Sequence, residues 1–225
     1  MKQERAAHTR RSLIHSAAQA FEQHGYDRAS LAEISASAGV STGALHFHFT
    51  NKAELASTVE TSAAILLRNS AATARQPHMD ALQQLIATTH ALAAQLRHDV
   101  VARAGYRLNC ETPHHTNLEL RTEWQECIHR HLTQAATHHL LTNDTTHHDL
   151  TTSITAATIG FEVLARQDPT WLSPTTLTHF WHHVLPHPTP HTPPNTPTRT
   201  PAGAPPNTPP GTPAHPQPEQ QHHNT

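Results

Sequence analysis

Apolar positions recur at helical spacing through the first 185 residues, and turn or capping residues interrupt them at regular intervals. Ile14, Ala17, Ala18 and Phe21 form one stripe, and Gly25 follows His24 where a helix C-cap belongs. Ser30 and Glu33 then read as a capping box opening a second helix, with Leu31, Ile34 and Ala38 on its apolar face and Gly39 at its end. Ser41 caps a short third helix running to about Phe47, and Asn51 caps a fourth. Further periodicity predicts helices near 54–69, 79–97, 100–110, 118–141, 149–166 and 174–185. Breaks are expected at Pro77, at Thr112–His115, at Asn143–Asp144 and at Asp168–Pro169. Alternating β-branched runs are absent, so the expected fold is all-α.

The second and third helices, joined by the tight Gly39-Val40-Ser41 turn, have the form of a helix-turn-helix, in which the second helix enters the major groove of DNA. Leu31, Ile34, Val40 and Leu45 are the expected buried pegs that fix the crossing angle. Ser41, Thr42, Gly43 and Ala44 are small and let the helix sink close to base edges. Phe47 and Phe49 are expected to anchor its far end to the first and fourth helices.

Composition divides the chain. Of 18 prolines, 14 lie between Pro186 and Pro218, in a segment with almost no large apolar residue. Residues 186–225 are therefore expected to be a disordered, partly polyproline tail. Formal net charge is −2, but residues 1–52 carry six Lys/Arg against four acids and the remainder nine against thirteen. A mildly basic head on an acidic body points to an anionic partner at the N-terminal end. Cys110 and Cys127 have no metal-ligand spacing and are too few for a disulfide framework. With no signal-peptide core and no run of membrane-spanning length, a soluble cytoplasmic protein is expected, without a membrane partner.

The pattern Phe21-x3-Gly25-Tyr26, Ser30-Leu31-x2-Ile34-x3-Ala38-Gly39-Val40-Ser41-x-Gly43-Ala44-Leu45, Phe47-His48-Phe49-x2-Lys52 resembles the TetR family of one-component repressors over about fifty residues. Within that family, the stretch Gly43–Phe49 is similar to the γ-butyrolactone autoregulator receptors of actinomycetes, and Arg103–Leu108 and Thr122–Trp124 fit the same subgroup. The resemblance implies a three-helix DNA-binding head over 1–52 and a helical ligand-binding and dimerisation domain over 53–185. It implies DNA contacts from Ser30, Ser41, Thr42, Gly43, Ala44, His46, Phe47, His48 and Lys52. The subgroup usually carries lysine where Thr42 stands and tyrosine where His46 stands, so weaker or altered operator binding is expected.

Trp124 matches the position of the subgroup's aromatic pocket wall, on a stripe with Leu120, Ile128 and Leu132. Leu92 and Leu108 supply facing apolar surface, and Thr158 and Glu162, four residues apart, offer a polar end. The ordinary alternative for Trp124 is a core tryptophan, and for Thr158 and Glu162 a helix surface or interface. Phe161, Leu177, Phe180, Trp181 and Val184 make the last two helices too apolar for solvent, and in this family such helices pair across a two-fold axis. The implied partners are an inverted-repeat operator, a small-molecule effector and a second copy of the chain.

Two other readings stand beside this one. The effector is a furan, a butenolide, an antibiotic intermediate or an efflux substrate in place of a lactone. In a different class, the 24 histidines belong to a metal-handling protein. Most of them sit at adjacent or alternate positions that point to different helix faces, and only His179 and His183 have a useful four-residue spacing, so no metal site is assigned. Phosphate loops, nucleophile elbows and paired carboxylates at a recognisable spacing are missing, and neither an enzyme nor a cofactor is expected.

Overall fold

The computed structural model describes residues 2–111, 116–141 and 147–185. The breaks expected at Thr112–His115 and Asn143–Asp144, and the tail over 186–225, lie outside the described residues. Helices follow one another without a strand among the described residues: α1 (Lys2–Arg28), α2 (Leu31–Ser37), α3 (Thr42–His48), α4 (Lys52–Ala74), α5 (Ala81–His98), α6 (Val100–Glu111), α7 (Leu120–Thr137), α8 (His147–Ala165) and α9 (Pro174–Val184). A 3-10 turn, Pro169–Leu172, which periodicity does not predict, sits before α9.

Local chemistry sets most of these ends. Gly25 breaks α1 at φ 77°, and Gly39 ends α2 at φ 71°, both in the left-handed region open to glycine. Ser30, Ser41 and Asn51 accept from the backbone N–H of Glu33 (3.2 Å), Ala44 (3.1 Å) and Glu54 (2.8 Å), capping α2, α3 and α4. Of the capping box expected at Ser30, this first half is formed, while Glu33 lies exposed. A complete box stands instead at Asp80 and Gln83, where α5 begins.

Three apolar cores follow. The first packs Leu13, Ala17 and Phe21 of α1 with Ile34, Leu45 and Phe49, and is closed by Leu55 and Val59 of α4 and Ala104 and Leu108 of α6. The second gathers Ala64, Leu67, Leu96, Tyr106, Leu120, Leu172 and Leu177. The third holds Leu85, Ile128, Leu132, Ile154 and Trp181. α4 runs from the first core into the second. Its crossing with α6 is close because Gly105 leaves no room for a side chain, and a Cβ there would stand 2.4 Å from that of Ala63 and 2.6 Å from the Val59 carbonyl oxygen. Arg103 of α6 reinforces the junction, donating to Glu22 of α1 (2.5 and 3.3 Å) and to the Leu96 and Arg97 carbonyls that end α5 (3.0 and 2.8 Å).

Candidate DNA-reading head and effector cavity

α3 divides cleanly. Leu45 faces inward with no exposed surface, and Phe49, just past the helix, is 1% exposed. Thr42, Gly43, His46 and Phe47 all lie exposed on the outer side, at the one- and four-residue spacings of a single helical face. Phe47 is 82% exposed and anchors nothing in the protomer, contrary to the role its hydrophobicity implied; the anchor is Phe49 alone, under the Arg10 guanidinium. Ala44 and His48 are half-buried at the edge of that face. Thr42 Oγ1 lies 3.2 Å from Ser35 Oγ, while the Ser30 and Ser41 hydroxyls are engaged as caps.

Lys52, expected among the DNA contacts, is engaged within the protein. Its ammonium donates to the carbonyls of Tyr26, Asp27 and Ala29 (3.0, 3.1 and 3.2 Å) and sits 4.6 Å from the Tyr26 ring centroid. All three donors of the ammonium are thereby satisfied within the protomer, pinning the start of α4 to the end of α1.

The body holds a cavity of about 250 Å3 between α4, α5, α7 and α8. Trp124, Leu92, Thr158 and Glu162 line it together, as expected. Trp124 Nε1 donates to Thr158 Oγ1 (2.8 Å), which in turn donates to the Ile154 carbonyl (2.8 Å), so Thr158 fixes the indole edge. Glu162 is held by Arg166 at 2.9 and 3.0 Å, and Arg166 also pairs with Glu111. Leu108 and Ile128 do not line the cavity. Leu108 turns into the head's core and Ile128 into the third core. α6 and α7 each present more than one apolar face, and hydrophobicity alone does not say which face meets the cavity.

Sequence reasoning missed several lining residues: Thr88 on α5, Arg68 and Arg75 at the far end of α4, and Cys127 and Arg130 on α7. Thr88 was findable, since it and Thr89 interrupt the buried stripe Ala81, Leu85, Ala93, Leu96. Arg68 makes a two-point pair with Glu123 of α7 (3.0 and 2.5 Å). Burial pushes the Cys110 thiol up to about 11, which leaves it protonated at neutral pH and a poor nucleophile.

The residues expected at a dimer interface mostly pack within one protomer. Leu177 and Trp181 are buried in the second and third cores, and Phe161 and Leu177 line the cavity. Phe180 and Val184 are half-buried against the third core. Among the described residues of the body, the large apolar side chains left exposed are Ile65 of α4, Leu140, Val163 and Leu164 of α8, and Trp171 of the 3-10 turn. Among the described residues no three His, Cys, Asp or Glu side chains are grouped to hold a metal ion, and His183 Nδ1 lies 2.7 Å from the His179 carbonyl of its own helix.

Residues 13–59 match the model of the TetR family of bacterial regulatory proteins. Over 110 residues the chain is 38% identical to the A-factor receptor protein of Streptomyces griseus, a stretch covering 49% of this chain and 38% of that protein. The alignment therefore spans well under two thirds of that relative's length. The crystal structure of an ArpA-like γ-butyrolactone receptor superposes with a TM-score of 0.70 at 28% identity, over 80% of this chain and 87% of that one. TylP, a TetR regulator from Streptomyces fradiae, superposes with a TM-score of 0.53 at 30% identity, over 82% of this chain and 80% of that one. A helix-turn-helix joined by one continuous helix to a cavity-bearing helical body defines a class, the one-component regulators, in which reader and sensor share a chain. This chain belongs to the TetR family and is related within it to the γ-butyrolactone receptors, and its relatives are regulators and receptors, not enzymes.

Proposed function

We propose that this protein is a homodimeric transcriptional repressor that holds an inverted-repeat operator until a small amphipathic effector, about the size of a γ-butyrolactone, enters the cavity beside Trp124. In this reading residues 1–52 read DNA, and residues 53–185 sense the effector and dimerise. One observation carries it: α4 closes the core of the head with Leu55 and Val59 and lines the cavity with Leu67, Arg68 and Ala71. A ligand that prefers a displaced α4 therefore displaces the head, and the two heads of a dimer lose the spacing of successive major grooves.

Thr42, Gly43, His46 and Phe47 supply the exposed reading face, with Ser41, Ala44 and His48 at its edge. Lys52 and Ser30 position that face from within the protomer. The dimer seat in this reading is the outer side of α8, where Val163 and Leu164 stand exposed next to each other in sequence.

The test is a salt-dependent gel shift on DNA upstream of this gene and its neighbours, with and without a γ-butyrolactone. Trp124→Ala is expected to bind the same fragment with unchanged affinity and to lose release by effector. Full release from the variant removes Trp124 from the sensing site, and absence of any specific shift at low salt removes the regulator reading.

A further inference from the structure

The cavity, taken as the effector site proposed above, has a charge pattern of its own. Its belly is apolar, from Leu67, Leu92, Leu96, Ile159, Phe161 and Leu177. Both carboxylates that line it are neutralised by an arginine: Glu123 by Arg68, and Glu162 by Arg166. Arg75, at the C-terminal end of α4, and Arg130 of α7 also line it, and among the described residues neither has a carboxylate partner. Arg75 Nε donates to the Ala71 carbonyl (3.2 Å), leaving its other guanidinium donors open.

A second observation lies deeper. Thr88 is 1% exposed, lines the same cavity, and its Oγ1 has no protein partner. A buried hydroxyl without a partner is costly, and a polar ligand atom in the cavity would satisfy it. Buried His131, next to Arg130 in sequence, reports the local field. Its ring is held below the usual histidine range by burial first, then by the positive charges of Arg130 and Arg75. Both guanidiniums thus lie within electrostatic reach of one ring beside the cavity they line.

We infer that the cavity is built for an amphipathic anion, a small molecule with an alkyl body and one carboxylate, in preference to a neutral lactone of the same length. The alkyl body lies against Trp124 and the leucines. The carboxylate accepts from Arg75 and Arg130, and a polar atom along the chain meets Thr88. Such an anion ties the far end of α4 to α7, which gives the ligand differential contact with the helix that carries the head.

The experiment is calorimetric titration of the full chain with three probes of matched chain length: decanoate, its neutral amide decanamide, and γ-decalactone. Decanoate is expected to bind about tenfold or more tighter than decanamide, the margin of a charge-assisted contact. In an Arg75→Gln, Arg130→Gln double variant that preference should fall to about twofold or less, because decanoate weakens far more than decanamide. Both positions are exposed, so the fold should survive; each single variant serves as a check and should lose part of the preference. Lactone or amide binding as tightly as decanoate, or a preference that survives the double variant, overturns the anion assignment while leaving the effector cavity in place. If no probe binds, both fail, and operator binding by the same sample shows whether the DNA reading stands apart.

Discussion

Gly43 meets nothing in the protomer that would resist a methyl group: a Cβ there would find only Ser41 Oγ, at an ordinary 3.8 Å. Its backbone is helical and free of positive φ, so folding gives no reason for glycine at this position. Close approach to an external surface does. Gly43→Ala is therefore expected to stabilise the protein by about 0.5–1 kcal/mol, through lower unfolded-state entropy and better helix propensity. The same change should weaken operator binding severalfold; a thermal melt and a binding isotherm on one preparation read both. A stabilised variant with undiminished DNA binding removes Gly43 from the interface. Much at this scale was legible in the sequence, because caps and small residues act locally: Ser30, Ser41 and Asn51 cap where expected. Phe47 and Phe49 were not separable, since two aromatics flanking a helix end look alike until the chain turns. The turn buries Phe49 and leaves Phe47 outside.

At the scale of elements, α4 is the member that connects everything else, and its two ends are held by different means. Lys52 fastens its start to three carbonyls at the end of α1, while Arg68 and Arg75 place cations near its far end beside the cavity. The resemblance assigned Lys52 to DNA, and the structure gives its donors to the protein. These alternatives predict different measurements. Lys52→Met keeps the aliphatic stem and removes the donors, and should destabilise the head by about 1–3 kcal/mol, the range for lost hydrogen bonds to a charged group. The slope of log affinity against log salt should stay the same. A slope shallower by about 0.9 per subunit would instead return Lys52 to a phosphate. Helix positions were readable from 3.6-residue periodicity alone, which predicted 79–97 and 174–185 where α5 and α9 now stand. Which face meets which neighbour was not. Leu108 and Leu177 satisfy the periodicity of any core, and only the tertiary path assigns one to the head and the other to the cavity.

On the scale of the whole molecule, the question is how two short reading helices gain enough affinity to hold an operator. α3 has seven residues, and no lysine or arginine stands on it. The cations of the head lie mainly on α1, and the body is acidic, so in the proposed dimer each head brings few phosphate contacts and binding is shared between two. Thr42 marks where the count can be raised. It is exposed at the start of α3, and its hydroxyl is engaged only with Ser35, so a lysine in its place would extend outward without disturbing the core. If the second copy docks through Val163 and Leu164, Thr42→Lys adds one cation at each of two symmetry-related half-sites. Each new phosphate contact should steepen the salt slope by about 0.9, giving about 1.8 for the dimer on an inverted repeat. On a half-site fragment, or in a dimer-breaking Val163→Glu, Leu164→Glu background, the increment should fall to about 0.9. One measurement thus tests two claims. An increment near 1.8 that halves in the monomeric background places residue 42 against the backbone of DNA and the two-fold axis at α8. An unchanged slope in both rejects the contact. A full 1.8 that persists in the double-glutamate variant keeps the contact and moves the dimer seat elsewhere.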